Sequence, residues 1–428
     1  MTDFRRYDEK KDKDAVARIW REAGWIEKKE HEEVMTAVLE TGRTLIAEVN
    51  GEAECMVNTC PGVLRHLEED IPVSIVGGVT TSRIARKQGL ASRLTARTLA
   101  EETADGLKVA LLGIFDQGFY NQLGFGNGAY EHWYTFDPAD LKIDVNPRIP
   151  ERLTADDWEA MHSNRMARMQ RHGACSIIAP QMTKAEIIWS ENGFGLGYRD
   201  EESGELTHHF WARTKAIEHG PYTVSWMAYR TKEQLFELLG LLKNLADQVN
   251  SIELCEPPGI QMQDTLDHPF RSRRITESSK HENTIFSAAY WQARILDLPG
   301  CLEQTHLDGR AARFNLVLTD PIERFLDDTS DWRGVAGEYV VKLGEESSAV
   351  PGRDEALPTL RASVNAFTRL WLGVRPARAS LPGATTCLAH RSSWRGLTGR
   401  SACHHRRWIG TSRLVFSALC RFESATKS

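Results

Sequence analysis

Between Arg86 and Leu94 the chain reads RKQGLASRL. Two cationic side chains, Arg86 and Lys87, precede Gly89, Leu90 and Ala91. From Ala91 onward, Leu94, Thr95, Thr98 and Leu99 recur at the i, i+3, i+4, i+7, i+8 spacing of a helix with one buried face. Such a helix start offers unpaired backbone N–H groups and the positive end of the macrodipole. Gly89 and Ala91 leave room for a phosphate, and Arg86 and Lys87 add charge beside it, so the expected ligand is a pyrophosphate. A solvated helix start would present the same residues, and the nine positions alone do not separate the two. A second candidate is Tyr120, inside FDQGFYNQLGFGNGAYEHW (115–133). A phenol is among the side chains that can act as a general acid. Taken by itself, Tyr120 also fits an aromatic core contact.

The flanking elements must position these groups. Upstream, IPVSIVGGVTTSRI (71–84) is rich in β-branched residues and interrupted by Gly77-Gly78, as in a strand pair or a bent strand. Downstream, GLKVALLGIF (106–115) has the length and composition of a buried strand. The order is strand, basic glycine loop, helix, strand.

Arg86-x-x-Gly89-x-Ala91 after a strand resembles the Arg/Gln-x-x-Gly-x-Gly/Ala pyrophosphate loop of the Gcn5-related N-acetyltransferases (GNAT), which bind acetyl coenzyme A. Gly118, Tyr120, Gly124 and Phe125 resemble the GxYxxxGF segment of the Eis-like, or enhanced-intracellular-survival, branch. YWQARILDLPG (290–300), FNLVLTDP (314–321) and LRASVNAFTRLWLG (360–373) resemble that branch's sterol-carrier-protein-like domain. The resemblance implies an α/β (α+β) chain: a GNAT acetyltransferase domain over 1–142, a degenerate GNAT-like mixed-sheet copy over 143–288, and a sterol-carrier-protein-like α/β domain over 289–376. An atypical basic tail follows over 377–428.

The resemblance also implies roles. Tyr120 would be the acid. Ser82 and Ile84 would contact the coenzyme at the strand end, with a backbone N–H there polarising the thioester. Arg86, Lys87, Gly89, Leu90 and Ala91 would hold the pyrophosphate. One departure is that Ile84-Ala85 leads straight into Arg86, where family members usually carry several more residues. The acceptor would be a primary amine of an aminoglycoside or polyamine-like molecule. A protein or peptide lysine is the alternative, as is acetyl coenzyme A binding without turnover. In this branch the chain's own terminal carboxylate acts as base. Here the arginine-rich text after Arg375-Pro376 displaces Ser428, and the base is unassigned. Members of the branch are often hexamers, so a homo-oligomer is expected.

Composition sets the bounds. The chain has 428 residues, 41% hydrophobic and 26% charged, enough for two or three cores. The amino-terminal MTDFRRYDEKKDKD is too charged for a signal peptide and no apolar run reaches membrane-spanning length, so a cytoplasmic protein without membrane partners is expected. The net charge of −6 gives no general reason to expect nucleic acid. It is unevenly spread, because residues 377–428 hold nine basic residues against one acid. The eight cysteines form no CxxC pair, so reduced thiols are expected. Cys387, His390, Cys403, His404 and His405 have a superficial zinc-ligand pattern, but no strand or helix pattern to hold a tetrahedron, and no metal is assigned.

Three further stretches complete the reading. Trp20 and Trp25 fall where an acceptor pocket or a half-buried core would be. YTVSWMAYR, TKEQLFELLGLLKNLADQVN and SIELCEP repeat the strand, helix, strand order over 222–257. There Thr231 to Gln234 form a capping box, which leaves no invitation to a pyrophosphate. His208-His209 reads as a surface doublet.

Overall fold

The computed structural model describes residues 2–114, 116, 118–269, 276–309 and 311–375. The arginine-rich tail, its Cys/His set and the terminal carboxylate of Ser428 lie outside the described residues. The first third contains β1 (Thr2–Arg6), α1 (Glu9–Glu22), α2 (Glu30–Leu39), β2 (Arg43–Val49), β3 (Glu52–His66), β4 (Glu69–Thr81), α3 (Leu90–Ala104), β5 (Val109–Gly113), β6 (Gly126–Asn127) and β7 (Glu131–Phe136). Then come β8 (Glu151–Leu153), α4 (Trp158–Met166), β9 (Cys175–Ile177), α5 (Pro180–Ile188), β10 (Phe194–Arg199), β11 (Leu206–Thr214), β12 (Tyr222–Ala228), α6 (Lys232–Lys243), β13 (Ile252–Cys255) and β14 (Thr284–Ala288). The last part holds β15 (Trp291–Ile295), α7 (Leu298–Glu303), β16 (Ala312–Thr319), β17 (Gly337–Leu343), β18 (Ser348–Pro351), β19 (Thr359–Ser363) and α8 (Val364–Trp371).

Three mixed sheets result. The first runs β1-β2-β3-β4-β5-β15-β6 with β9 beside β3, the second β14-β7-β13-β12-β11-β10-β8, and the third β18-β17-β16-β19. The strand-helix-strand unit occurs twice, as β4-α3-β5 and β12-α6-β13, each joining a parallel pair. The sheets cross the segment limits read from the sequence. β7 pairs with β13 and β14 in the second sheet, and β15 is inserted between β5 and β6 in the first. The reason is burial, since every residue of both β5 and β15 is buried and neither could leave an edge in solvent.

α1 buries Val16, Ala17, Ile19 and Trp20 against the first sheet, and the Asp8 side chain caps its start by accepting from the Lys10 N–H. Trp20 packs edge-on to Trp25 at 5.2 Å and stacks on Trp189 at 6.3 Å. Both α1-side tryptophans are therefore core. The expected surface doublet is also corrected: His208 and His209 are buried on β11. His208 bonds Glu237 at 2.9 Å, and His209 bonds Asn164 at 2.7 Å and accepts from Trp226 at 3.0 Å.

The first and third sheets are joined by Arg294 of β15 and Asp320, which pair at 2.7 Å with both side chains fully buried. Replacing one partner leaves the other charge uncompensated. Asp320→Ala is expected to cost about 3–5 kcal/mol, read by urea denaturation. Burial also holds His66 and His209 down to about 3 and His162 to about 4. The unfolded chain then binds more protons than the folded one below the ordinary histidine pKa of about 6.5, so stability is full above that pH and falls as pH drops toward 3. At pH 4.5 His66 and His209 should each cost roughly 2–3 kcal/mol, and His66→Phe should flatten the fall of the melting temperature between pH 7 and 4.5.

Candidate functional site

β4 pairs with β5 only from Val73↔Val109 to Val76↔Leu112. Beyond Val76 the strand continues to Thr81 with no β5 partner, so the two strands part there. The cause lies in Gly77-Gly78. Between Asn58↔Gly77 and Met56↔Thr80 the β4 side carries one extra residue, and Gly78 takes φ +57°, a bulge that bends the strand away.

β4 ends at Thr81, and Arg83–Ala85 form a 3-10 turn. Ser82 and Ile84 therefore stand past the strand rather than on it. The Ser82 N–H donates to the Glu54 carbonyl at 2.8 Å, and the Arg83 N–H donates to a Glu22 carboxylate oxygen at 2.6 Å. The Ser82 N–H is therefore already spent, as is that of its neighbour Arg83, and Ile84 points outward, 73% exposed. The free backbone edge is instead Gly77–Thr81. Sequence reasoning missed it, although the Gly-Gly pair was its signal.

The basic loop leads into α3. Arg86, Lys87, Gln88 and Gly89 are exposed, and Leu90 buries its side chain in the core while opening α3. Ala91 follows half-buried. Gly89 adopts φ +74°, no side chain caps the helix, and a Cβ at Gly89 would meet nothing within 4 Å. First-turn N–H groups, open space and two flanking cations make a cradle that fits a phosphate group.

Tyr120 opens the 3-10 turn Tyr120–Leu123, and its ring is 7% exposed. It shares one hydrophobic cluster with Ala85, Leu90, Leu94, Leu112 and Phe125, and the Gln122 amide reaches the Ser92 hydroxyl of α3 at 3.5 Å. The structure thus brings the tyrosine turn and the start of α3 together. The turn is held from the chain's far end. Arg294 donates to the Leu123 carbonyl. The Asn365 amide donates to the Asn121 and Phe125 carbonyls at 3.0 and 2.8 Å.

Two carboxylates went unnoticed in the sequence. Glu54, 3% exposed, accepts from Arg18 Nη2 at 2.9 Å through one oxygen, while the other has no hydrogen-bond partner. The buried Ser82 hydroxyl, on the residue whose N–H bonds Glu54, also has none. Glu22 is the other. Neither lies in a recognisable motif. Among the described residues no cluster of three or more His, Cys, Asp or Glu could hold a metal, and no helix is long and apolar enough to cross a membrane.

Residues 3–128 match the family model for the acetyltransferase (GNAT) domain. No curated protein matches the chain. Among solved structures, a probable N-acyltransferase from Enterococcus faecalis is 17% identical, with a TM-score of 0.71, over 88% of this chain and 91% of that one. A GCN5-related N-acetyltransferase from Anabaena variabilis is 13% identical, with a TM-score of 0.69, over 93% and 96%. Eis1 from Mycobacterium abscessus is 16% identical, with a TM-score of 0.66, over 88% and 91%. The fold is a tandem GNAT-like one, and its first unit is a GNAT acetyltransferase domain, an acyltransferase type that draws on acetyl coenzyme A.

The cradle can be tested without any acyl chemistry. Calorimetry with inorganic pyrophosphate should show binding that Arg86→Ala combined with Lys87→Gln weakens about tenfold or more, and that salt weakens further.

Proposed function

We propose that this chain transfers the acetyl group of acetyl coenzyme A to a primary amine of a cationic small molecule, an aminoglycoside or a polyamine. The observation that carries this reading is the uncapped start of α3 at Gly89, beside Arg86 and Lys87, at the end of a strand that has parted from its neighbour. The first-turn N–H groups of α3, with Leu90 giving only its backbone, would hold the pyrophosphate, and Ala91 would let it approach. Bound there, the coenzyme supplies a thioester carbonyl open to attack by an amine.

The free edge of β4 over Gly77–Thr81 would polarise that carbonyl oxygen, as preorganised backbone donors do. Tyr120 would give its proton to the departing thiolate. Glu54, whose backbone carbonyl holds the Ser82 N–H and whose buried side chain has one unsatisfied oxygen, would draw in the acceptor's ammonium. The acidic balance of the first 376 residues attracts cations at longer range. The third sheet with α7 and α8 is read as the sterol-carrier-protein-like unit, and the protein as a cytoplasmic homo-oligomer.

The test is release of free thiol from acetyl coenzyme A with aminoglycosides, polyamines and a lysine peptide as acceptors. Tyr120→Phe should lower kcat about a hundredfold while coenzyme affinity holds, and Glu54→Gln should raise KM for the amine. A preference for the peptide would move the acceptor to protein lysine. Coenzyme binding without acceptor-dependent release, in the full chain and in one ending at Pro376, would make this a binding protein.

A further inference from the structure

A cavity of about 840 Å³ lies in the second unit, between the start of α6, the β10–β11 turn and the segment before β8. Thr207, His208 and Glu237 line it. In a regular strand consecutive side chains point to opposite faces, so Thr207 and His208 should not share a wall. They share one because of a bulge: Tyr198 pairs with His208 and Arg199 with Leu206, which leaves Thr207 as the extra residue of β11. The Asn164 amide donates to the Thr207 carbonyl at 2.8 Å and holds the bulged backbone.

The bulge lines up three groups. The Thr207 hydroxyl oxygen lies 2.9 Å from His208 Nδ1, and His208 Nε2 lies 2.9 Å from a Glu237 carboxylate oxygen. Glu237 also accepts from Arg148 Nε at 2.9 Å and Nη2 at 3.0 Å. These bonds hold its carboxyl down to about 2, so it is ionised and can only accept. The ring proton therefore sits on Nε2. Burial pushes the His208 pKa down, which leaves Nδ1 as a lone pair facing the hydroxyl. Tyr198 stacks on the imidazole at 4.7 Å and fixes its plane. The hydroxyl has a second acceptor in reach, the Tyr198 carbonyl at 2.9 Å, and its proton can turn to either. A hydroxyl beside a neutral base, with the base oriented by an ionised third group, is the arrangement that activates oxygen nucleophiles for acyl transfer.

We propose that this cavity is a second catalytic site that hydrolyses carboxylic esters, with Thr207 as nucleophile, His208 as base and Glu237 orienting the ring. The Thr207 oxygen attacks the ester carbonyl carbon while its proton passes to His208 Nδ1. The tetrahedral adduct then expels the alcohol, which takes that proton away. Water attacks the resulting acyl-threonine and gives a proton to Nδ1, and the acid leaves as Thr207 takes that proton back. Arg148 is paired with Glu237, and Arg199 with Glu151 and Asp157. Lys232, 5.3 Å from the Phe236 ring, is the cation of the lining left to face the developing oxyanion. The lining holds five carboxylates against three cations, and the capping box denies a phosphate the start of α6. The substrate class is therefore an uncharged or cationic ester. This inference does not depend on the reading of the basic loop.

The experiment is hydrolysis of p-nitrophenyl acetate, and of acetylthiocholine as a cationic ester, by the full chain without coenzyme or amine. Saturable turnover of at least one ester is expected, with an acetyl group trapped on the peptide that bears Thr207 after rapid acid quench. Thr207→Val keeps the side-chain shape and should lower kcat about a hundredfold or more, while Thr207→Ser restores a hydroxyl and should keep most of the activity. His208→Gln should fall as far as Thr207→Val, and if it fails to fold the two Thr207 variants decide. Turnover undiminished in Thr207→Val, an acetyl group trapped only on other residues, or no hydrolysis above the rate in buffer would overturn the proposal. Because the assay holds neither coenzyme nor amine, its outcome is separate from that of the acetyl-transfer reading.

Discussion

The buried pair between Arg294 and Asp320 is the constraint on which the site depends. Removing two charges from water is expensive, and the attraction between them offsets that only when the remaining donors and acceptors are satisfied as well. Asp320 meets the condition by also accepting the Ile322 and Val335 N–H groups at 3.1 and 3.0 Å. Arg294 lies over the Trp332 ring and donates to Leu123, while its Nε has no hydrogen-bond partner. Leu123 closes the 3-10 turn that begins at Tyr120. A charge pair rooted in the last third of the chain thus fixes the placement of the candidate acid in the first. Such a pair tolerates little displacement, because any rotation that breaks it strands a charge in the core.

The two strand-helix-strand units show how one backbone plan serves different chemistry. In the first, Gly89 leaves the start of α3 uncapped and exposed cations flank it. In the second, the Thr231 side chain takes the Gln234 N–H of α6, and the Gln234 side chain folds back over the helix start to take the Thr231 N–H. A threonine and a glutamine three residues apart are enough to close an anion site, since the capping groups and a phosphate compete for the same N–H groups. The parting of the parallel strands survives in both units, since β12 and β13 pair only at Tyr222↔Ile252 and Thr223↔Glu253.

Local features were legible in the sequence and distant ones were not. The glycine of the basic loop, the buried face of α3, the strand at Val109–Gly113 and the capping box at Thr231 all follow from spacing within one element. Ser82 and Ile84 were misplaced because the 3-10 turn after Thr81 has no periodic signature, and because the groups that occupy the Ser82 and Arg83 N–H donors, Glu54 and Glu22, lie far back in the chain. His208-His209 read as surface since the partners that permit burial, Asn164, Trp226 and Glu237, are equally remote. The exchange of β7 and β15 between sheets left no mark, because an apolar run states that a strand is buried and not which strand it lies beside.

That exchange explains how the cleft can exist. For β4 to part from β5, one strand must bend while the other stays straight. β4 has the bulge at Gly78. β5 is held along its whole length by β15, from Trp291↔Gly113 to Ile295↔Val109, so its free side is covered even where β4 has left. Without β15, the end of β5 past Val76↔Leu112 would lack ladder partners on both sides, and buried backbone groups do not remain unpaired. The cleft is therefore a property of the whole chain: its bent wall comes from the acetyltransferase domain, while the straight wall and the tyrosine turn are moored by residues more than 150 positions downstream.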